Sequence, residues 1–171
     1  MIGLLFVSAL LSAGTGAPLV REPQVVIGQS QRIHGVADPL TFVAGTYRRY
    51  RAHPSHPPAD QTYAYSPRLR GLFAGYQAWQ NAHSDDVGSI DFDWWTNAQD
   101  YRLSNFSYRS INEGPALRWI VARFDNLGRH EEIRFRFVRE SGRWYLDDAM
   151  QGTGSGDAGW TLSALLRNPA G

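Results

Sequence analysis

Residues 131–148 read EEIRFRFVRESGRWYLDD, and this stretch decides the fold. Apolar and polar side chains alternate from Ile133 to Phe137 and resume from Trp144, the period of a strand with one covered face. Ser141-Gly142 between the two runs suits a two-residue hairpin turn. Such a turn sets the register: Glu140 opposite Arg143, Phe137 opposite Leu146 and Arg136 opposite Asp147. Ile133, Phe135, Phe137, Trp144 and Leu146 then share one face, which is core. Arg134, Arg136, Tyr145 and Asp147 share the other, which is polar or lines a cavity. Arg136 opposite Asp147 reads as a cross-strand ion pair.

Working back from the hairpin, Tyr101 to Ile111 and Ala116 to Asp125 show the same alternation. Asn112-Glu113-Gly114-Pro115 and Asn126-Leu127-Gly128 are turn-like separators. With Glu131 to Arg139 and Arg143 to Asp148 these make four strands in meander order, an antiparallel sheet that can carry helices on one face. Further back the period becomes helical. Asp38-Pro39 and Ser66-Pro67 are helix-start signals, a capping side chain followed by a proline whose missing N–H costs nothing at the first position. Leu40, Val43, Ala44, Tyr47 and Tyr50 form one apolar stripe, ending before Pro54. Leu69, Leu72, Phe73, Tyr76 and Trp79 form another, reaching about His83. Beyond the hairpin, the Gly-rich stretch from Gly152 to Gly159 leads to a short helix with Trp160, Leu162, Leu165 and Leu166 as its apolar positions. The expected fold class is α+β: N-terminal helices on a curved four-stranded antiparallel sheet, closed by a short C-terminal helix.

The chain has 171 residues, enough for one domain with a proper core. Hydrophobic residues make up 43% and charged residues 19%, a globular rather than disordered composition. A net charge of +1 gives no electrostatic case for binding nucleic acid. All 17 basic residues are Arg, so Schiff-base and P-loop lysine chemistry are excluded. The absence of cysteine excludes thiol catalysis, disulfides and a lipid anchor on Cys.

Residues Ile2 to Leu11 are almost wholly apolar and run into Ser12-Ala13-Gly14-Thr15-Gly16-Ala17, the pattern of a secretory leader and its cleavage zone. The run is shorter than the roughly 20 residues that span a bilayer. No Arg or Lys precedes it, so the α-amino group supplies the only positive charge. The expected organisation is a signal peptide over 1–17, a linker over 18–37 and a single cone-like domain over 38–171. The expected location is periplasmic or secreted, with no transmembrane segment after signal removal.

Three passages carry a family resemblance: Asp91-Phe92-Asp93 leading to Asn97-Ala98-Gln99-Asp100-Tyr101, then Val138 to Asp148, then Trp160-Thr161-Leu162 with Leu165-Leu166. In order and spacing they resemble an uncharacterised exported bacterial family, domain of unknown function 3828. The resemblance covers roughly Asp38 to Asn168. It implies a cystatin-like, nuclear-transport-factor-2-like fold, in which a curved sheet wraps helices around a pocket. The double Trp, Trp94-Trp95, departs from the small or aliphatic residues that the family leads one to expect there. No catalytic residue comes with the resemblance.

Chemistry concentrates first in Asp91, Asp93 and Asp100 with Trp94, Trp95 and Tyr101. A carboxylate in an aromatic pocket has a raised pKa and can act as a general acid or base. The same residues also suit structural roles, with Asp91 or Asp93 capping a turn and Asp100 accepting backbone N–H bonds where the first strand begins. His53 and His56 could hold a metal were Asp60 to join them, but the prolines around them favour a solvated loop, and no metal site or cofactor is expected. Trp79, Trp119, Trp144 and Trp160 fall on apolar stripes and read as core, with Trp94, Trp95 and Tyr108 less clearly buried. Arg118, Arg134, Arg136 and Tyr145 are residue types that dominate recognition surfaces, set on a sheet face that otherwise reads as solvated.

The functional expectation is a non-catalytic binding module for an envelope protein or a small ligand. It would use Asp91, Trp94, Trp95, Asp100, Tyr101, Arg134, Arg136 and Tyr145. It predicts tolerance of single Asp substitutions and sensitivity at Arg and Trp. The alternative is a small pocket enzyme of the ketosteroid-isomerase or polyketide-cyclase kind, with Asp93 or Asp100 as base.

Overall fold

The computed structural model describes residues 34–53, 61–152 and 159–171. The leader, nearly all of the linker, His56, Asp60 and most of the Gly-rich stretch lie outside the described residues. Both helix-start signals act as read. Helix α1 runs Pro39–Ala52, and the Asp38 carboxylate accepts from the Thr41 N–H at 2.8 Å. Helix α2 runs Pro67–Ala82, and the Ser66 hydroxyl accepts from the Leu69 N–H at 3.0 Å. Arg49 and Arg51 lie in the last turn of α1, where positive charge suits the helix dipole. At the end of α2, His83 stacks on Trp79 and its Nδ1 lies 2.9 Å from the Trp79 carbonyl oxygen.

The sheet is a four-stranded antiparallel meander of β1 Leu103–Asn112, β2 Leu117–Asn126, β3 Arg129–Glu140 and β4 Arg143–Gln151, in that spatial order. Helix α3, Leu162–Arg167, follows it. The β2–β3 and β3–β4 turns are two-residue type I′ geometries, Leu127-Gly128 at φ 51° and 84° and Ser141-Gly142 at φ 49° and 80°. Glu140 pairs Arg143 and Phe137 pairs Leu146, as the hairpin turn requires.

The register then departs from the expectation. A bulge between Phe137 and Arg136 puts Arg136 opposite Asp148 and leaves Asp147 as the extra residue. The shift turns Ala149, rather than Met150, toward the core; Ala149 is fully buried. Asp147 is freed from the ladder, and the Arg136 guanidinium still reaches its carboxylate at 2.6 Å.

The helices pack on the face made by Ile120, Ala122, Phe124, Ile133, Phe135 and Phe137. Between the layers lies a stack of rings. Trp95 lies 4.6 Å from Phe135 and 4.9 Å from Trp94, centroid to centroid, and meets Tyr47 edge-on at 5.7 Å. The double Trp is therefore core, at 8% and 5% exposure, whereas Trp79, Trp119 and Trp160 are only half-buried. Periodicity could not place Trp94 and Trp95, because they sit in a turn closed between Asp93 and Ala98 and have no period of their own.

The two sheet edges differ. Three segments cover the outer edge of β4. Val36 exchanges both backbone hydrogen bonds with Trp144, the Ser66 N–H donates to the Leu146 carbonyl, and the Gln151 N–H donates to the Trp160 carbonyl. Among the described residues nothing pairs with the outer edge of β1, and no helix is long and apolar enough to cross a membrane.

Candidate functional site

The Asp91–Tyr101 segment folds so that its three carboxylates part company. Asp93 turns inward. One of its oxygens accepts from the Trp95 N–H at 2.9 Å and the other from the Tyr50 hydroxyl of α1 at 2.6 Å. Burial pushes the Asp93 carboxyl above its ordinary pKa, against the opposing pull of these hydrogen bonds. Burial and the adjacent carboxylate push the Tyr50 phenol far up as well, so it stays protonated and donates. Asp91 and Asp100 are exposed, and Asp91 accepts from the Gln99 amide at 3.5 Å. Tyr101 sets its half-buried ring edge-on to Tyr50 at 5.3 Å, and its hydroxyl is buried without a hydrogen-bond partner among the described residues.

A general base needs a lone pair aimed at substrate. Both Asp93 oxygens are engaged inside the fold, and aromatic side chains fill the space around them. The arrangement locks a turn to a helix. Tyr50, its key partner, was not legible beforehand, because no local spacing links a helix residue to an aspartate 43 positions on.

Asp147 builds the second polar node. Its carboxylate accepts from the Ser66 hydroxyl at 2.7 Å, from Arg68 Nε at 3.0 Å and from Arg136 at 2.6 Å. Burial pushes its pKa up, but the hydrogen bonds from Arg68 and Ser66 and the charges of Arg68 and Arg136 outweigh that push and hold it below the usual carboxylate range. Its neighbour Asp148 accepts from the Ser163 N–H at 3.0 Å, fixing the start of α3.

Of the predicted sheet residues, Arg134, Arg136 and Tyr145 lie on the sheet face away from the helices. There Ile111, Trp119, Val121 and Met150, with Glu113 and Arg134, line a shallow hollow of about 250 Å³. Val121 is only 1% exposed even though no helix among the described residues covers that face. Arg134 donates to Glu132 at 2.7 Å and Arg123 to the same carboxylate at 2.6 Å, so two guanidinium groups share one acid. Tyr145 is half-buried beside Gly35, where an added methyl would come within 2.8 Å of the ring. Gly35 holds φ 53°, so glycine is needed there twice over. Arg118 turns to the helix side, over the Trp144 ring at 4.6 Å.

A second concavity of about 400 Å³ lies by the β2–β3 turn, lined by Asn105, Arg123, Asp125, His130, Glu131 and Glu132 among others. His130 contacts Asp125 there, but its ring is 91% exposed, and Asn97 and Arg129 hold Glu131. Among the described residues no group of three or more His, Asp and Glu is placed to hold a metal ion, and His53 stands at the end of α1. No protein-family model, curated protein or solved structure matches the chain.

Proposed function

We propose that this chain is an exported, non-catalytic binding module that docks a protein partner on the sheet face opposite its helices. One observation carries the reading. The face that no described helix covers presents Trp119, Ile111 and Met150 around a hollow, with Glu113 at its lip and Arg123 and Arg134 sharing Glu132 beside it. An aromatic anchor in an apolar hollow with guanidinium groups at its rim is the chemistry of a recognition hot spot, and it suits a partner surface that is apolar at its centre and charged at its margin. Export and a periplasmic or secreted location belong to the same proposal and rest on the residue 2–17 pattern. The resemblance to domain of unknown function 3828 and its nuclear-transport-factor-2-like cone belongs to it too. The order of two helices, four antiparallel strands and a closing helix supports that resemblance.

Two observations weigh against the pocket-enzyme alternative: Trp95 and Tyr50 occupy both Asp93 oxygens, and Asp100 is exposed. The test is equilibrium binding of the purified chain to a partner recovered from envelope extract. Trp119→Ser is expected to weaken binding at least tenfold while Asp93→Asn leaves it unchanged. Equal binding by the Trp119→Ser variant, or loss in the Asp93→Asn variant with the fold intact, would overturn the proposal.

A further inference from the structure

Six arginines, at 68, 118, 123, 129, 134 and 136, form ion pairs with aspartate or glutamate. The other nine described arginines have no acidic partner among the described residues, and four of them, Arg48, Arg51, Arg102 and Arg109, lie around β1. Arg109 is an exposed residue of β1 on the face away from the helices, and Arg102 directly precedes the strand. On the helix side, Arg51 of α1 places its guanidinium 5.8 Å from the centre of the Phe106 ring. Arg48 and Arg51 both act on the Tyr108 hydroxyl, pulling its pKa down against the larger upward push of burial. The strand itself, LSNFSYRSIN, contains no acidic residue.

The same strand offers unpaired backbone. The Glu113 N–H donates to the Leu117 carbonyl at 3.0 Å, and the β1–β2 register continues from that pair through Asn112 with Arg118 to Tyr108 with Ala122. In an antiparallel ladder alternate residues turn their N–H and C=O away from the partner strand. By that count Tyr108, Ser110 and Asn112 direct theirs outward, along an edge that nothing covers among the described residues. The irregularity between Ser104 and Ser107, with Asn105 at φ 51°, interrupts the first half of the edge and leaves the second half straight.

We infer that the Ser107–Asn112 edge of β1 is a strand-addition site for an acidic extended segment of a partner protein. An added strand would bond to the outward groups of Tyr108, Ser110 and Asn112 and send its side chains alternately to the two faces of the sheet. Those on the helix side meet Arg48 and Arg51, and those on the other side meet Arg109. Unpaired positive charge on both sides therefore selects acids at both parities of the incoming strand. A second copy of this chain fits poorly, because β1 against β1 would bring Arg109 toward its own counterpart. This inference does not require the Trp119 face to be the recognition surface, and either can fail alone.

The probe is a short fluorescein-labelled peptide of valine and threonine with glutamates at both parities, titrated with the full chain and read by anisotropy. Binding is expected, and it should weaken steeply with added salt. Ser110→Pro removes one outward N–H at an edge position where proline is tolerated, and should weaken binding at least tenfold. N-methylation of alternate peptide nitrogens tests the same bonds without touching the protein and should abolish binding. Arg51→Glu and Arg109→Glu should each weaken it several-fold. The inference is overturned if the peptide does not bind, if N-methylation leaves binding unchanged, or if a lysine version binds as well. It is also overturned if the chain forms a dimer that Ser110→Pro dissolves.

Discussion

Asp93 and Asp147 are both carboxylates withdrawn from water at a junction between a helix and the rest of the fold, and the structure treats them in opposite ways. Asp93 is held by neutral donors, the Tyr50 hydroxyl and the Trp95 N–H, and its pKa rises. Asp147 is held by two guanidinium groups and a serine hydroxyl, and its pKa falls. Burial acts upward on both, so the sign is decided by whether the partners bring charge. The difference teaches that a buried aspartate is not by itself a sign of acid–base function. Here one fastens a turn and the other fastens α2 to the bulge in β4.

The largest effect expected from breaking this pair of sites is at Asp147. Asp147→Asn keeps the shape but strips the charge that Arg68 and Arg136 face. A loss of about 2–3 kcal/mol follows, below the full cost of a stranded buried charge because both arginines are partly solvated. Urea denaturation of the variant against the native chain measures it. Tyr50→Phe comes next. It leaves Asp93 with the Trp95 N–H alone, costs about 1–2 kcal/mol, and raises the Asp93 pKa further in a side-chain NMR titration.

The pH dependence sharpens the contrast. The Asp147 contribution is present above the ordinary aspartate pKa and is lost as pH falls through its lowered value. Asp93 does the reverse: its raised pKa favours the folded state when protonated, and that advantage is lost as pH rises from the ordinary value through the raised one. On acidification the stability gap between the native chain and Asp147→Asn should close, and the gap to Asp93→Asn should open. Melting temperatures across the acid range decide it, and parallel shifts in the two variants would break the comparison. The smallest effect is at Tyr101→Phe, which removes a buried hydroxyl that has no partner among the described residues and should leave stability unchanged or raise it by about 0.5 kcal/mol.

What was legible in the sequence was local. Asp38-Pro39, Ser66-Pro67 and Ser141-Gly142 each specify geometry within a few residues, and α1, α2 and the β3–β4 turn follow from them. What was not legible depended on distant partners. The bulge at Asp147 exists in company with Arg68 and Ser66, which approach from a helix about eighty positions away. The burial of Trp94 and Trp95 depends on a turn folding beneath α1, and an acidic-aromatic run with no period carries no sign of which side will face the core. The same run allowed either a site of three carboxylates or a turn capped by Asp91 or Asp93, and it holds one fastener, Asp93, and two solvated acids.

The closure of the β4 edge has a consequence for time. The meander is joined by tight turns and can form from neighbours, but the strips that seal β4 come from before α1, from before α2 and from before α3. Trp160 lies close to Gln151 along the chain, but Val36 and Ser66 reach Trp144 and Leu146 from far away, at a cost in chain entropy that local hairpins avoid. Where such contacts form only after the rate-limiting barrier, they slow escape from the native state without hastening arrival. The Val36 and Ser66 seams are then expected to act as latches, governing how long a folded molecule persists more than how quickly one is made.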